Sequence, residues 1–130
     1  MNPYTALCDD FGVYVYLNTK MELPSNRETV LHFFGQSGDG SDPYAGLIDV
    51  GGTLYGTTLN GGGTGCGGSG CGTVFSINPK TGAEAVLYAF QGGSDGANPY
   101  AGLINVKGTL YGTTRAGGMH SLGTVYSIKP

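Results

Sequence analysis

The sequence predicts an all-β fold: β-propeller blades of four antiparallel strands, about two periods in 130 residues, with the ring completed by association of chains. Three observations predict it. A block of sequence returns at an offset of 56 residues: Pro43-Tyr44-Ala45-Gly46-Leu47-Ile48 recurs as Pro99 to Ile104, and Gly52 to Thr58 recurs as Gly108 to Thr114. The segments between glycine-rich links are dense in Val, Ile, Tyr, Phe and Thr, as strands favour, and none has a helical period. Several segments are apolar on both faces, with Val86, Tyr88 and Phe90 opposite Leu87 and Ala89. An isolated hairpin cannot bury both faces, whereas a sheet stacked between neighbouring sheets can, and such stacking at this period is the environment of a propeller blade.

The elements follow in order within one repeat domain, 1–130. Gly12 to Asn18 resembles Gly72 to Asn78 and reads as a worn third strand; a loop over 19–27 leads to a strand over Val30 to Phe34. These make a partial blade, 12–34. The full blade, 46–90, opens with a strand from Gly46 to Val50. The two-residue link Gly51-Gly52 suits a primed hairpin turn. A second strand covers Thr53 to Thr58 and a third Thr73 to Ile77. Asn78-Pro79-Lys80-Thr81-Gly82 is a turn signal, and a fourth strand covers Glu84 to Phe90. The last partial blade, 102–129, repeats the first three strands; Gly123 to Ile128 matches Gly72 to Ile77 at offset 51, because the loop holding Cys66 and Cys71 is five residues longer. So few strands cannot close a ring of about four to eight blades. A homo-oligomer of two or three chains is therefore expected, with the N-terminal strands of one chain completing the last blade of the next. Residues 12–18 and 123–129 both claim the third-strand place, so one of them must be displaced.

Together, Leu54-Tyr55-Gly56-Thr57-Thr58, the Gly-rich loop, Gly72-Thr73-Val74-Phe75, Val86-Leu87-Tyr88-Ala89-Phe90 and Asp95-Gly96-Ala97-Asn98-Pro99 make a combined motif. It resembles the bacterial tandem repeat called GloVer, well over residues 28–130 and weakly over 12–18. The resemblance implies propeller blades and an exported protein. This chain departs from it in having about two periods and no visible signal peptide, so the localisation stays open.

Composition narrows the function classes. The six Lys and Arg are scattered and the net charge is −3, which excludes an electrostatic footprint for nucleic acid. No apolar run is long enough for a membrane-spanning helix, so no membrane partner is expected.

The acidic loops are the first candidate site. Asp39 aligns with Asp95, and Asp42 with Asn98. Oxygen side chains three residues apart in a Gly-rich loop suit Ca²⁺, a hard cation that takes six to eight oxygens; the same residues also suit side-chain-capped turns before proline. Tyr44, Tyr100, Tyr55 and Tyr111 recur at equivalent places and offer aromatic surfaces for a carbohydrate or small molecule, or packing between blades. His120 lies in a loop beside Ser121, and His32 within an apolar strand. Cys66 and Cys71 share one loop and are expected to staple it in an exported protein, which leaves Cys8 over. Gly56 and Gly112 sit inside strands, where Gly is unfavourable, so another backbone or blade is expected to pass close there. The function expected is a non-catalytic binding or scaffold module. The alternative is a Ca²⁺-dependent hydrolase of lactones or esters, in which the metal polarises a carbonyl.

Overall fold

The computed structural model describes Leu7–Cys8, Tyr14–Val15 and residues 27–130. The chain divides into two units, Met1–Val30 and Leu31–Pro130. In the first, β1 (Leu7–Cys8) pairs antiparallel with β2 (Tyr14–Val15). The rest of the strand predicted over 12–18 lies outside the described residues.

The second unit contains two antiparallel sheets. The first is built from β3 (Gly40–Pro43), β4 (Ile48–Val50), β5 (Thr53–Gly61), β6 (Thr73–Ile77) and β7 (Glu84–Ala89). Both β3 and β4 lie along one edge of β5; β6 and β7 follow on the other side. The second sheet repeats this order with β8 (Gly96–Pro99), β9 (Ile104–Val106), β10 (Thr109–Gly117) and β11 (Thr124–Ile128). Each is a blade-like meander, neither closes into a barrel, and a single 3-10 turn, Cys66–Gly68, is the helical content of the described residues.

The first strand is shorter than the sequence predicts and has a companion. β4 begins at Ile48, and the acidic stretch before it is itself a strand, β3. The reason is the length of β5. It runs on to Gly61 and pairs with Gly40 and Ser41 beyond the reach of β4. Asp42 adopts φ 60° and Asn98 φ 57°, left-handed values that Asx residues tolerate and that interrupt each edge at the same place. The link Gly51-Gly52 has positive φ at both positions, as predicted, and Lys107-Gly108 matches it. The strand predicted over Val30 to Phe34 does not form. A strand needs a neighbour for its N–H and C=O groups, and among the described residues none pairs with it. Its last residue is nonetheless placed: the Phe34 ring stands edge-on to Phe75 at 5.1 Å.

A buried pair of hydroxyls joins β5 to β6 beneath β3. Thr58 Oγ1 donates to the Asn60 carbonyl at 2.9 Å and accepts from the Thr73 amide at 3.1 Å; Thr73 Oγ1, 2.7 Å away, is left to donate to Thr58 Oγ1. Thr114 and Thr124 repeat all three contacts in the second sheet. The backbone of β3 passes directly over this pair. A Cβ on Gly40 would lie 2.6 Å from Thr73 Oγ1, and one on Gly96 2.8 Å from Thr124 Oγ1, so both positions demand glycine.

The core lies between the sheets. Val74 and Cys71 of the first pack with Leu103, Leu110 and Ala97 of the second. Polar contacts cross the same gap: the Asn98 amide donates to the Cys71 carbonyl at 2.7 Å, and the Asn98 side chain donates to the Leu59 carbonyl at 2.9 Å.

Gly56 and Gly112 are crowded, as predicted, but by side chains of their own sheet. Gly56 faces Phe75 across the ladder and Gly112 faces Tyr126. A Cβ on Gly56 would lie 2.7 Å from Phe75 Cζ, and one on Gly112 2.6 Å from Tyr126 Cζ. The aromatic ring lies over the bare glycine of the neighbouring strand. Gly56→Ala and Gly112→Ala are therefore expected to destabilise by roughly 1–3 kcal/mol each, the usual range for overpacking. Urea denaturation midpoints check this, and replacing Phe75 with Leu in the Gly56→Ala background should recover part of the loss.

Candidate functional site

The predicted site residues fall into three groups, each placed by the meander. The first is a carboxylate that ties successive segments together. Asp39 Oδ1 accepts from the Gly40 amide at 2.7 Å; its Oδ2 accepts from the Gly35 amide at 3.3 Å and lies 2.9 Å from His32 Nε2. Asp95 does the same one repeat later, with Gly96 at 2.9 Å, the Gln91 amide at 2.9 Å and the Tyr88 hydroxyl at 2.8 Å. His32 and Tyr88 are repeat equivalents, so two different side chains make one contact. Each aspartate closes the turn before its strand and fastens that turn to the preceding segment.

Glu84 joins the first of these. Its Oε1 lies 4.0 Å from His32 Nε2, and its Oε2 is buried without a hydrogen-bond partner among the described residues. His32, Asp39 and Glu84 thus form a cluster of three ligand-type groups within 4.8 Å of one another. Sequence reasoning missed Glu84, because nothing in its local pattern marks it. Burial raises the Glu84 carboxyl above its ordinary value, and the nearby Asp39 charge raises it further. Burial also pushes Asp39 up, but hydrogen bonds from His32 and Gly40 outweigh it and hold that carboxyl below its ordinary value.

The second group joins the other two predicted metal ligands through a residue not singled out from sequence. Asn60 Nδ2 donates to Asp42 Oδ2 at 2.8 Å, and Asn98 Nδ2 lies 3.3 Å from Asn60 Oδ1. The chain Asp42–Asn60–Asn98 spans the two sheets. The four residues offered for Ca²⁺ are therefore split. Asp39 and Asp95 hold separate turns, while Asp42 and Asn98 share Asn60.

The third group is aromatic. Tyr44 and Tyr100, equivalent residues of the two sheets, stack at 4.5 Å between centroids with planes 38° apart. The Arg115 guanidinium lies 5.3 Å over Tyr100. Both tyrosines stay exposed, at 61% and 42%. A hydrogen bond with Tyr44 raises the Tyr100 hydroxyl above its ordinary value. Tyr55 instead packs against the core, and Tyr111 faces outward on β10 beside Val125. His120 is exposed in the loop between β10 and β11, whose Gly118 amide donates to the Asp95 carbonyl at 2.8 Å. Cys66 and Cys71 form the expected disulfide, with Cα atoms 5.4 Å apart.

The family described as the Gloeobacter/Verrucomicrobia repeat matches residues 12–130. No curated protein and no solved structure matches the chain.

The carboxylates give a signed pH dependence. Asp39 is held low, so its contribution is present at neutral pH and is lost as pH falls through its lowered value, below about 4. Glu84 is held high, so its contribution is complete below its ordinary 4.5 and fades as pH rises through its raised value. Asp39→Asn is expected to cost about 1 kcal/mol at neutral pH and to flatten the acid limb. Glu84→Gln is expected to be neutral or stabilising at neutral pH and to remove the gain on mild acidification. Thermal melts from pH 3 to 8 read both slopes.

Proposed function

The chain belongs to the Gloeobacter/Verrucomicrobia repeat family, and from that premise we propose that it is a non-catalytic scaffold of propeller type that associates with itself and binds a carbohydrate or small molecule. The observation that carries the binding reading is the Tyr44–Tyr100 pair. Two exposed rings and a guanidinium make an amphipathic aromatic cluster across two sheets, and the exposed ring surface suits contact with the apolar face of a sugar or a planar ligand.

The blade reading draws on the same pair. Both sheets run in the same order from a broken edge strand outward. Their broken edges approach one another, so that Tyr44 meets its own repeat equivalent and Thr57 Oγ1 donates to the Ala101 carbonyl at 3.4 Å. Propeller blades converge in this way at their inner strands. The non-catalytic reading draws on the carboxylates: Asp39 and Asp95 are engaged by three donors each, which accounts for their recurrence without a reaction.

Calorimetric titration with soluble oligosaccharides of glucose, xylose and N-acetylglucosamine tests the cluster as a binding surface. Tyr44→Ala and Tyr100→Ala are each expected to weaken binding by about 1 kcal/mol, roughly five-fold, with little change in melting temperature. An unchanged affinity in the double variant would reject this binding surface, as would the absence of binding by any of the three series.

A further inference from the structure

We propose that the two outward faces of this sheet pair are halves of one interface, closed when the second sheet of one copy stacks on the first sheet of the next. The proposal rests on the self-association and blade arrangement proposed above. The chain contains its own template. Inside it, one face of the first sheet covers the opposite face of the second: Val74 is 0% exposed, and Leu103 and Leu110 are 3% and 0% exposed. Two of their three repeat equivalents on the outward faces are bare, and the third, Leu54, is half-buried. Val125, the counterpart of Val74, is 78% exposed, and Leu47, the counterpart of Leu103, is 51% exposed. Leu47 and Leu54, with Phe34 and Pro43, line an apolar hollow of about 400 Å³ on one side. Val125, Thr113 and Ile104 line a second of about 250 Å³ on the other. Stacking one face on the other continues an interface that already exists between the two sheets.

The edges agree as well. β7 pairs with β6 in the register Ser76↔Ala85 and Val74↔Tyr88. Glu28-Thr29-Val30-Leu31-His32-Phe33 matches Glu84-Ala85-Val86-Leu87-Tyr88-Ala89 at the repeat offset. Among the described residues β11 pairs only with β10, and no strand forms over 28–33, where Leu31 is 43% and Phe33 74% exposed. In the stacked arrangement this segment of one copy lies along β11 of the other, with Thr29 opposite Ser127 and His32 opposite Val125. The contact is head-to-tail, so it closes into a ring only if the rotation per sheet allows. Two copies bring four sheets and three bring six, within the roughly four to eight blades of known propellers.

Two measurements test it. Sedimentation equilibrium at micromolar concentration should give a dimer or trimer mass, and Val125→Glu should shift it to the monomer while the far-ultraviolet dichroism keeps its strand signature. Separately, Thr29→Cys protein is mixed with Ser127→Cys protein, both in a Cys8→Ser background, and oxidised. The expected yield of crosslinked dimer is at least roughly ten-fold above that from Thr29→Cys with Ser121→Cys, which lies in the loop before β11 rather than opposite residue 29. A monomeric parent would overturn both the interface and the self-association behind it. A parent that is oligomeric but insensitive to Val125→Glu, or that crosslinks equally at both positions, would overturn this interface and leave self-association standing.

Discussion

The hydroxyl pair beneath each broken edge strand is the contact on which the rest of the unit depends. Thr58 and Thr73 are buried; the Thr73 hydroxyl finds its partner in Thr58, whose own hydroxyl also bonds the Asn60 carbonyl and the Thr73 amide. A buried hydroxyl without a partner costs about 1–3 kcal/mol, so Thr73 depends on Thr58. Because the pair sits on the line between β5 and β6, it fixes their register. Because Gly40 has no side chain, β3 can settle directly over it. Asp39 then has little freedom: it precedes that glycine, and its carboxylate reaches forward to the amide of Gly40 and back to His32. A short-range constraint on two threonines thereby positions the most connected ionisable group of the unit.

The two repeats use this framework with different chemistry. In the first, an imidazole faces Asp39 and a second carboxylate, Glu84, stands behind it. In the second, a phenol faces Asp95, and Asp95 raises the Tyr88 hydroxyl above its ordinary value by accepting its hydrogen bond. A polar ring replaces an apolar one where Tyr126 stands for Phe75. The Tyr126 hydroxyl is buried without a partner among the described residues, and burial pushes it up to about 12. Sequence divergence has thus fallen on the residues that touch the framework, while the Thr, Gly and Asp residues that compose it are unchanged between repeats.

How much of this is legible in the sequence follows from the range over which each signal acts. The repeat exposes β4 to β7 and β9 to β11, the hairpin links and the crowding at Gly56 and Gly112, because period-2 patterning and an exact offset are local signals. It hides β3 and β8. Gly-Ser-Asp-Pro and Gly-Ala-Asn-Pro have the composition of turns, and only the extra length of β5 and β10 makes them strands. The tie between position 32 and Asp39 was within reach, since both members recur together as Tyr88 and Asp95. Glu84 and Asn60 were not. Glu84 recurs as Glu28 one repeat earlier, but it reaches the cluster from the far edge of the sheet, which the offset does not show; Asn60 gives way to Ala116 in the second repeat and leaves no periodic trace.

The longer loop of the first repeat has a consequence for how such a chain assembles. Two sheets with nearly the same strands present a folding chain with interchangeable partners, and strand exchange between similar repeats is a characteristic failure of repeat proteins. β6 and β11 differ from each other in few residues, yet only β6 is preceded by a disulfide-closed loop, with Cys71 buried between the sheets beside Ala97. A β11 placed where β6 belongs would bring Leu122 to the position of Cys71 and leave the thiol of Cys66 without its partner. The crosslinked loop therefore gives one of two look-alike hairpins an address, and makes the correct pairing distinguishable from its near-copy.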